Sequence, residues 1–461
     1  MADVHEVLGP DRIDPRPFET ELNPMSQTTA EMTAFSPEAF EAFLETRDEP
    51  GWLSDQRRQA WQIFCERELP KRSEEEWMRT DIRLFKLNKF GIPTGDGGGE
   101  AASPLLAEGV DLGGQNSSIN GQSKASSIQN QWSEKGVIFG NLADVARDHS
   151  ELVKEHLFHG VVDPHFDKFS ALHASCWTSG TFIYVPRGVT VDQPFHSLAT
   201  ISGNGVDLGH TLVVVEEGAD VTFLNEMRCS NEQDSGLYCG ATELIVRDNA
   251  RLRFVNLQDW SQNVWHFAHQ SATVGRDASL QWTVGALGSR LAKVNQTVSL
   301  DGVGAECQVN GVMFTEGKQH LSYHTLQHHV APHCRSDFLY KAALQDTSRT
   351  VWRGMIKVDE RAQKTDGYQR NDNLLLSQRA RADAIPGLEI EADDVRCTHG
   401  ATTGRVDEEL IFYAQSRGFT RREAIRLVVT GFFQQVFDRI TIESVREALG
   451  RAIARRVRDY E

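Results

Sequence analysis

Apolar and polar residues alternate through the middle of this chain and take up helical spacing only towards its two ends. From about Val137 to Cys397, short runs rich in β-branched and aromatic residues recur, among them Thr181–Val185, Thr211–Val215 and Glu243–Val246. Turn residues separate them and no helical period is sustained, which predicts strands. Four of these units repeat one another: Glu217-Gly-Ala219-Asp-Val221-Thr-Phe223, Asp248-Asn-Ala250-Arg-Leu252-Arg-Phe254, Arg276-Asp-Ala278-Ser-Leu280-Gln-Trp282 and Val303-Gly-Ala305-Glu-Cys307-Gln-Val309. Their alanines lie 31, 28 and 27 residues apart. Each unit is a tight turn, a small residue, and a strand with apolar residues at alternate positions. Strand repeats of this length imply stacked coils, each burying its inward face on the next. A propeller blade would need roughly 40–50 residues. The expected architecture is therefore mainly β, a parallel β-helix over residues 132–403 with about nine coils, flanked by N-terminal and C-terminal helical regions.

Residues 1–35 carry Pro10, Pro15, Pro17 and Pro24 with little periodicity and read as a disordered leader. Ser36-Pro37-Glu38 is an N-cap, an N1 proline and an acidic first turn, opening a helical region over 36–90. A second helix is expected from about Ser54 to Glu68, burying Trp61, Ile63, Phe64 and Cys65. Residues 91–131, rich in Gly, Ser, Asn and Gln, read as a flexible linker. Beyond Gly404 the pattern becomes helical to residue 461. A short helix over Asp407–Arg417 stops at Gly418, and Thr420-Arg-Arg-Glu423 forms a capping box. Ile425, Val428, Val429, Phe432, Phe433 and Val436 follow at helical spacing, and a last helix spans about Thr441–Asp459. These helices either cover the open end of the solenoid or dock a partner through Phe432, Phe433, Val429 and Arg417.

Composition narrows the function. A net charge of −17 argues against general nucleic-acid binding and against anionic membranes. No run approaches the roughly 20 apolar residues of a membrane span, and residues 1–35 lack the apolar core of a secretory signal. Seven cysteines, odd in number and without a C-x-x-C pair, form no disulfide framework, which points to a reducing cytoplasm. No P-loop is present, so no nucleotide is expected on this chain, and no hydrolase or kinase signature appears.

Two groups could carry metal chemistry. His320, His324, His328, His329 and His333 precede Cys334, but in a strand histidines four apart sit about 13 Å from one another. Hydrogen-bonded or surface roles suit them better than ligation. Cys397 and His399 lie two apart, on one face of a strand and about 7 Å from each other. A thiol and an imidazole can share a soft metal or a sulfur species. Two ligands do not close a site, so others must come from elsewhere.

At this point the chain resembles the SufB/SufD family of iron–sulfur cluster assembly scaffolds. The resemblance rests on His329-x-x-Pro-His-Cys-x-Ser336 with Lys341, on Leu374-Leu-Leu-Ser377, and on Pro386-x-Leu-Glu-Ile390. It continues through Asp393-Asp-Val-x-Cys397-x-His399-Gly-Ala-Thr402, Asp407-Glu-Glu-Leu-Ile-Phe-Tyr413, Ser416-Arg-Gly418 and Gly431-Phe432. Upstream, Ala174-x-Cys-Trp177, Gly180 and Tyr184-Val-Pro-Arg-Gly188 match as well, with a looser match at Glu76-Trp77-x-x-Thr80-Asp81. Thr398 and Gly400 flank the histidine where SufB-type chains have acidic residues, so the pattern looks like the SufD branch. The resemblance implies a right-handed β-helix and a non-enzymatic scaffold that pairs with a SufB-like protein. It also implies docking of a SufC-like ATPase through the C-terminal helices. A transient iron–sulfur cluster would form at the partner junction, with His399 as its principal residue and Cys397 as its neighbour. The isolated chain could pair with itself through the same strand edges. Two other readings stay open: a carbohydrate-active β-helix enzyme, for which no paired carboxylates stand out, and an assembly platform that binds no iron.

Overall fold

The computed structural model describes residues 35–95, 97–158 and 162–457; the expected leader falls almost wholly outside them. Helices α1 (Pro37–Glu45) and α2 (Gly51–Glu66) open the described chain. Helices α3 (Asn130–Ser133), α4 (Leu142–Asp148), α5 (Ser150–His156) and α6 (Lys168–Cys176) precede the coils, and α7 (Glu408–Ser416), α8 (Arg421–Phe437) and α9 (Glu443–Arg456) follow them. Between lie two sheets of parallel strands that alternate along the chain. One runs from Phe195–Ile201 to Arg396–Arg405 and the other from Gly180–Val185 to Arg381–Ile390. Each contributes eight strands to the stack, giving eight coils rather than the nine expected.

The repeat explains the coil corner. The residue before each repeated alanine adopts positive φ: Gly218 (69°), Asn249 (58°), Asp277 (53°) and Gly304 (74°). Its N–H donates to a carbonyl of the next coil, as in Asn249 to Arg276 and Asp277 to Val303. The alanine behind it is buried, because the corner leaves room only for a small side chain. Two further coils continue the pattern with altered chemistry, His333-Cys334 and Lys364-Thr365, at φ 61° and 64°.

The solenoid core is apolar, built on Phe223, Phe254, Trp282, Phe338 and Trp352. Four expectations need correction. Within the supposed linker 91–131, Gly114–Ile119 and Gln122–Ile128 form an antiparallel hairpin, and its first strand pairs in parallel with Phe195–Ile201. Their Ser- and Asn-rich composition hid this, because the Gln122–Ile128 strand is largely exposed on both sides. The coils begin at Gly180, not near residue 132, since α3 to α6 occupy most of the stretch before it. Cys65 is exposed, although Trp61 and Phe64 of the same helix are buried. Finally, the C-terminal helices do not cover the end of the solenoid. They lie along its flank, where Ile425, Val429, Phe433 and Leu449 pack on Val255, Leu257, Val312 and Leu339.

Candidate functional site at the open coil

The last coil is bare. Strand Arg396–Arg405 ends one sheet and Arg381–Ile390 ends the other, and among the described residues neither has a strand on its outer edge. Most of their side chains are exposed or half-buried, including Leu388 and Ile390. In a parallel pair, alternate residues turn both backbone groups towards one neighbour. The Arg396 N–H bonds the Thr365 carbonyl, and the Val406 N–H bonds that of Leu375. The even-numbered residues therefore face the preceding strand, and the backbone groups of Cys397, His399, Ala401 and Thr403 face the open edge.

Cys397 and His399 project inward, at the uncovered mouth of the solenoid. They stand in register with Gly367 and Gln369 of the strand below. Gly367 is what makes room for the thiol, since a Cβ there would lie 3.3 Å from the Cys397 sulfur. Cys397 is half-buried against Ile356, Val358 and Ala392, and burial pushes its thiol pKa up. In the free chain it is therefore a protonated thiol, which binds metal by giving up its proton. His399 is exposed. Among the described residues no three His, Cys, Asp or Glu side chains converge as a metal site. A cluster takes roughly four protein ligands, so this coil can offer at most part of a set.

The histidine-rich segment does not converge. His324 bonds Glu76, His328 pairs with Asp359 at 2.9 Å, and His329 turns inward to bond Ser336 at 2.8 Å. His333 occupies the positive-φ corner, with Cys334 in the position of the repeated alanine. Burial pushes His320 and His329 down to about 4. Glu76 belongs to the looser N-terminal motif, and it ties that segment to the outer face of the second sheet by bonding His324 and Arg353.

The expected partner-binding residues divide. Val429 and Phe433 are fully buried against the solenoid and cannot meet a partner. Phe432 is half-buried beneath the Lys341 ammonium, 4.7 Å from its ring centroid. Arg417 is exposed and lies over Tyr413. The exposed large apolar residues of this region are instead Leu410, Phe412 and Tyr413 of α7, Leu427 of α8, and Phe419 between them. The sequence held a sign of this, because four adjacent large residues (410–413) cannot all face inward on one helix, and only Ile411 does.

Comparison with known proteins places the chain in a family. The family model for the SUF system FeS cluster assembly SufBD core domain matches residues 199–432, and the model for the SufBD protein N-terminal region matches residues 115–196. The chain is 28% identical over 431 residues to the iron-sulfur cluster assembly protein SufD of Bacillus subtilis, covering 91% of this chain and 98% of that one. A SufBD family protein of Mycobacterium tuberculosis is 36% identical over 296 residues, 62% of this chain and 73% of its own length. A Staphylococcus epidermidis member is 26% identical over 420 residues, 86% of this chain and 88% of its own. The chain belongs to the SufBD family of iron–sulfur cluster assembly proteins and is most like SufD.

Proposed function

We propose that this chain is the SufD-type half of a scaffold on which a nascent iron–sulfur cluster is built, and that it is not itself a catalyst. The observation that carries the reading is the pairing of Cys397 and His399 on the last coil, whose outer strand edges are free among the described residues. A SufB-like partner adds its own strands to those edges by main-chain hydrogen bonding, and its side chains complete the ligand set. Iron and sulfide arrive as cargo. This chain's part is to present a thiol and an imidazole at fixed spacing and to shield them from water once the mouth is covered. A SufC-like ATPase docks on the exposed apolar residues of α7 and α8, Leu410, Phe412, Tyr413 and Leu427, with Arg417 at the margin of the patch. The expected docking residues Val429 and Phe433 act beneath that surface, holding α8 in place.

The test is to purify the chain with co-expressed SufB-like and SufC-like partners and to measure iron and acid-labile sulfide per complex. His399→Ala should lower both by about tenfold or more, the scale of losing a metal ligand or its orientation, while the three proteins still co-elute. Cys397→Ser should give a smaller loss. Normal iron and sulfide in both variants would leave a platform that binds no iron.

A further inference from the structure

Lys341 is a conspicuous buried cation in the outer face of the first sheet. It stands in register with Asp372 of the next coil, which stands in register with Thr402 of the last. The three side chains form one column across the final three coils. Lys341 Nζ donates to the Phe432 carbonyl of α8 at 3.0 Å and lies 3.5 Å from an Asp372 carboxylate oxygen. The Thr402 hydroxyl donates to Asp372 at 2.7 Å, and Arg370 donates to the same oxygen at 2.9 Å. The side chains of Lys341 and Asp372 are only 8% and 4% exposed, so water screens the pair weakly. On the inner side, the Asn373 amide donates to the Thr402 carbonyl at 3.3 Å. Thr402 is thus held from both faces, three residues from His399 on the same strand.

Anchoring the helices does not require this column. Arg439, just beyond α8, pairs with Asp337 at 3.1 Å, and Arg456 of α9 pairs with Asp259. Both contacts fix the same helical region to earlier coils, and the further pairing of Asp259 with Arg228 leads away from the terminal strand. Among the described residues the Lys341 column is the side-chain route from a backbone carbonyl of α8 to the strand carrying Cys397 and His399, a strand that the chain itself also joins to α7 through Val406 and Asp407.

We propose that Lys341, Asp372 and Thr402 form a mechanical linkage that carries displacement of α8 to the terminal strand, so that events on the exposed face of the helices reset the position of Cys397 and His399. Lys341 and Asp372 are positioning residues: they touch no cargo and act through the strand. The inference rests on the scaffold reading above, in which an ATPase occupies the exposed face of α7 and α8. A shift of α8 drags the Phe432 carbonyl. The buried ammonium follows it, because leaving a charge unpaired away from water is strongly unfavourable. Asp372 and Thr402 follow in turn. Two well-separated sites are then biased by one packed element, which is the physical content of coupling between them.

The experiment uses the complex with both partners and compares wild type, Lys341→Met and Arg439→Met. Hydrogen exchange over residues 396–405 is read with and without a non-hydrolysable ATP analogue, and iron and sulfide are measured in parallel. Wild type should change its exchange at 396–405 on adding nucleotide. Lys341→Met should keep the ATPase bound at wild-type stoichiometry, lose that response, and lower cluster content about three- to tenfold. Arg439→Met removes a comparable helix anchor and should retain both. A Lys341→Met complex that still responds, a wild type that never does, or equal losses in the two variants would overturn the linkage. Normal cluster in His399→Ala would instead bring down the scaffold reading beneath it.

Discussion

His266, His320 and His329 are held as neutral imidazoles by burial, pushed down to about 3, 4 and 4, and burial drives His173 well below its usual value too. An unfolded histidine titrates near 6.5. Their folded values are depressed, so below about 6.5 the unfolded chain takes up protons that the folded chain refuses. Stability from these groups is therefore complete above about pH 6.5 and declines as the pH falls, the share of His320 and His329 being lost by about pH 4 and that of His266 by about pH 3. His329 alone, moved from near 6.5 to about 4, would account for on the order of 3 kcal/mol. Urea midpoints measured from pH 7.5 to 4 should fall steadily, and His329→Gln should flatten the slope by about one proton. A flat profile in wild type would show that these imidazoles are solvated. None of this could be read from the run of histidines itself. His329 and His328 are adjacent in sequence, yet the strand turns one inward to Ser336 and the other outward to Asp359. What the sequence did expose was the corner, through the turn-then-small pattern that runs from Gly218-Ala219 to Gly304-Ala305; the structure extends it to His333 and Cys334.

The strand Arg396–Arg405 has two different sides, and a proline scan separates them. Ala401 directs its N–H to the open edge, so proline there removes no internal bond and is tolerated as on any edge strand. Thr402 donates to the strand below. Ala401→Pro should fold with a melting temperature within a few degrees of wild type and fail to pair with a SufB-like chain or with itself, as read by native mass spectrometry. Thr402→Pro should instead cost about 3 kcal/mol or more. Unimpaired pairing in Ala401→Pro would mean that the partner does not add a strand here. Strand periodicity made the solenoid legible, since alternation and a repeated corner are local features. The flank position of α7 to α9 was not, because an apolar stripe such as Val429-Phe433-Val436 shows that a helix is covered without showing by what. The hairpin of Gly114–Ile128 was lost for a related reason: its polar face carries no hydrophobic signal, and only its parallel pairing with Phe195–Ile201 makes it part of a sheet.

At the scale of the molecule, a stack of coils in which each touches only its neighbours has stability distributed along its axis. At the N-terminal end Gly114–Ile119 and Gln122–Ile128 extend the first sheet, while α1, α2 and α6 pack on the outer face of the second, where the buried Arg57 bonds Glu49 and the carbonyls of Ser175 and Trp177. The middle coils have neighbours on both sides, and α8 and α9 cover one flank. Among the described residues the final coil has one neighbouring coil and no strand on its outer edge. Local opening should therefore be easiest at residues 381–405 and hardest near residues 250–300, where both neighbours and the flanking helices contribute. Hydrogen exchange on the isolated chain should show this gradient, with the terminal strand exchanging at least about a hundredfold faster than Arg251–Asp259, a difference of roughly 3 kcal/mol. A SufB-like partner should abolish the gradient at that end, since the added strands supply the missing neighbour. Protection that rose only around α7 and α8, with 396–405 unchanged, would place the partner on the helices and leave Cys397 and His399 outside the junction.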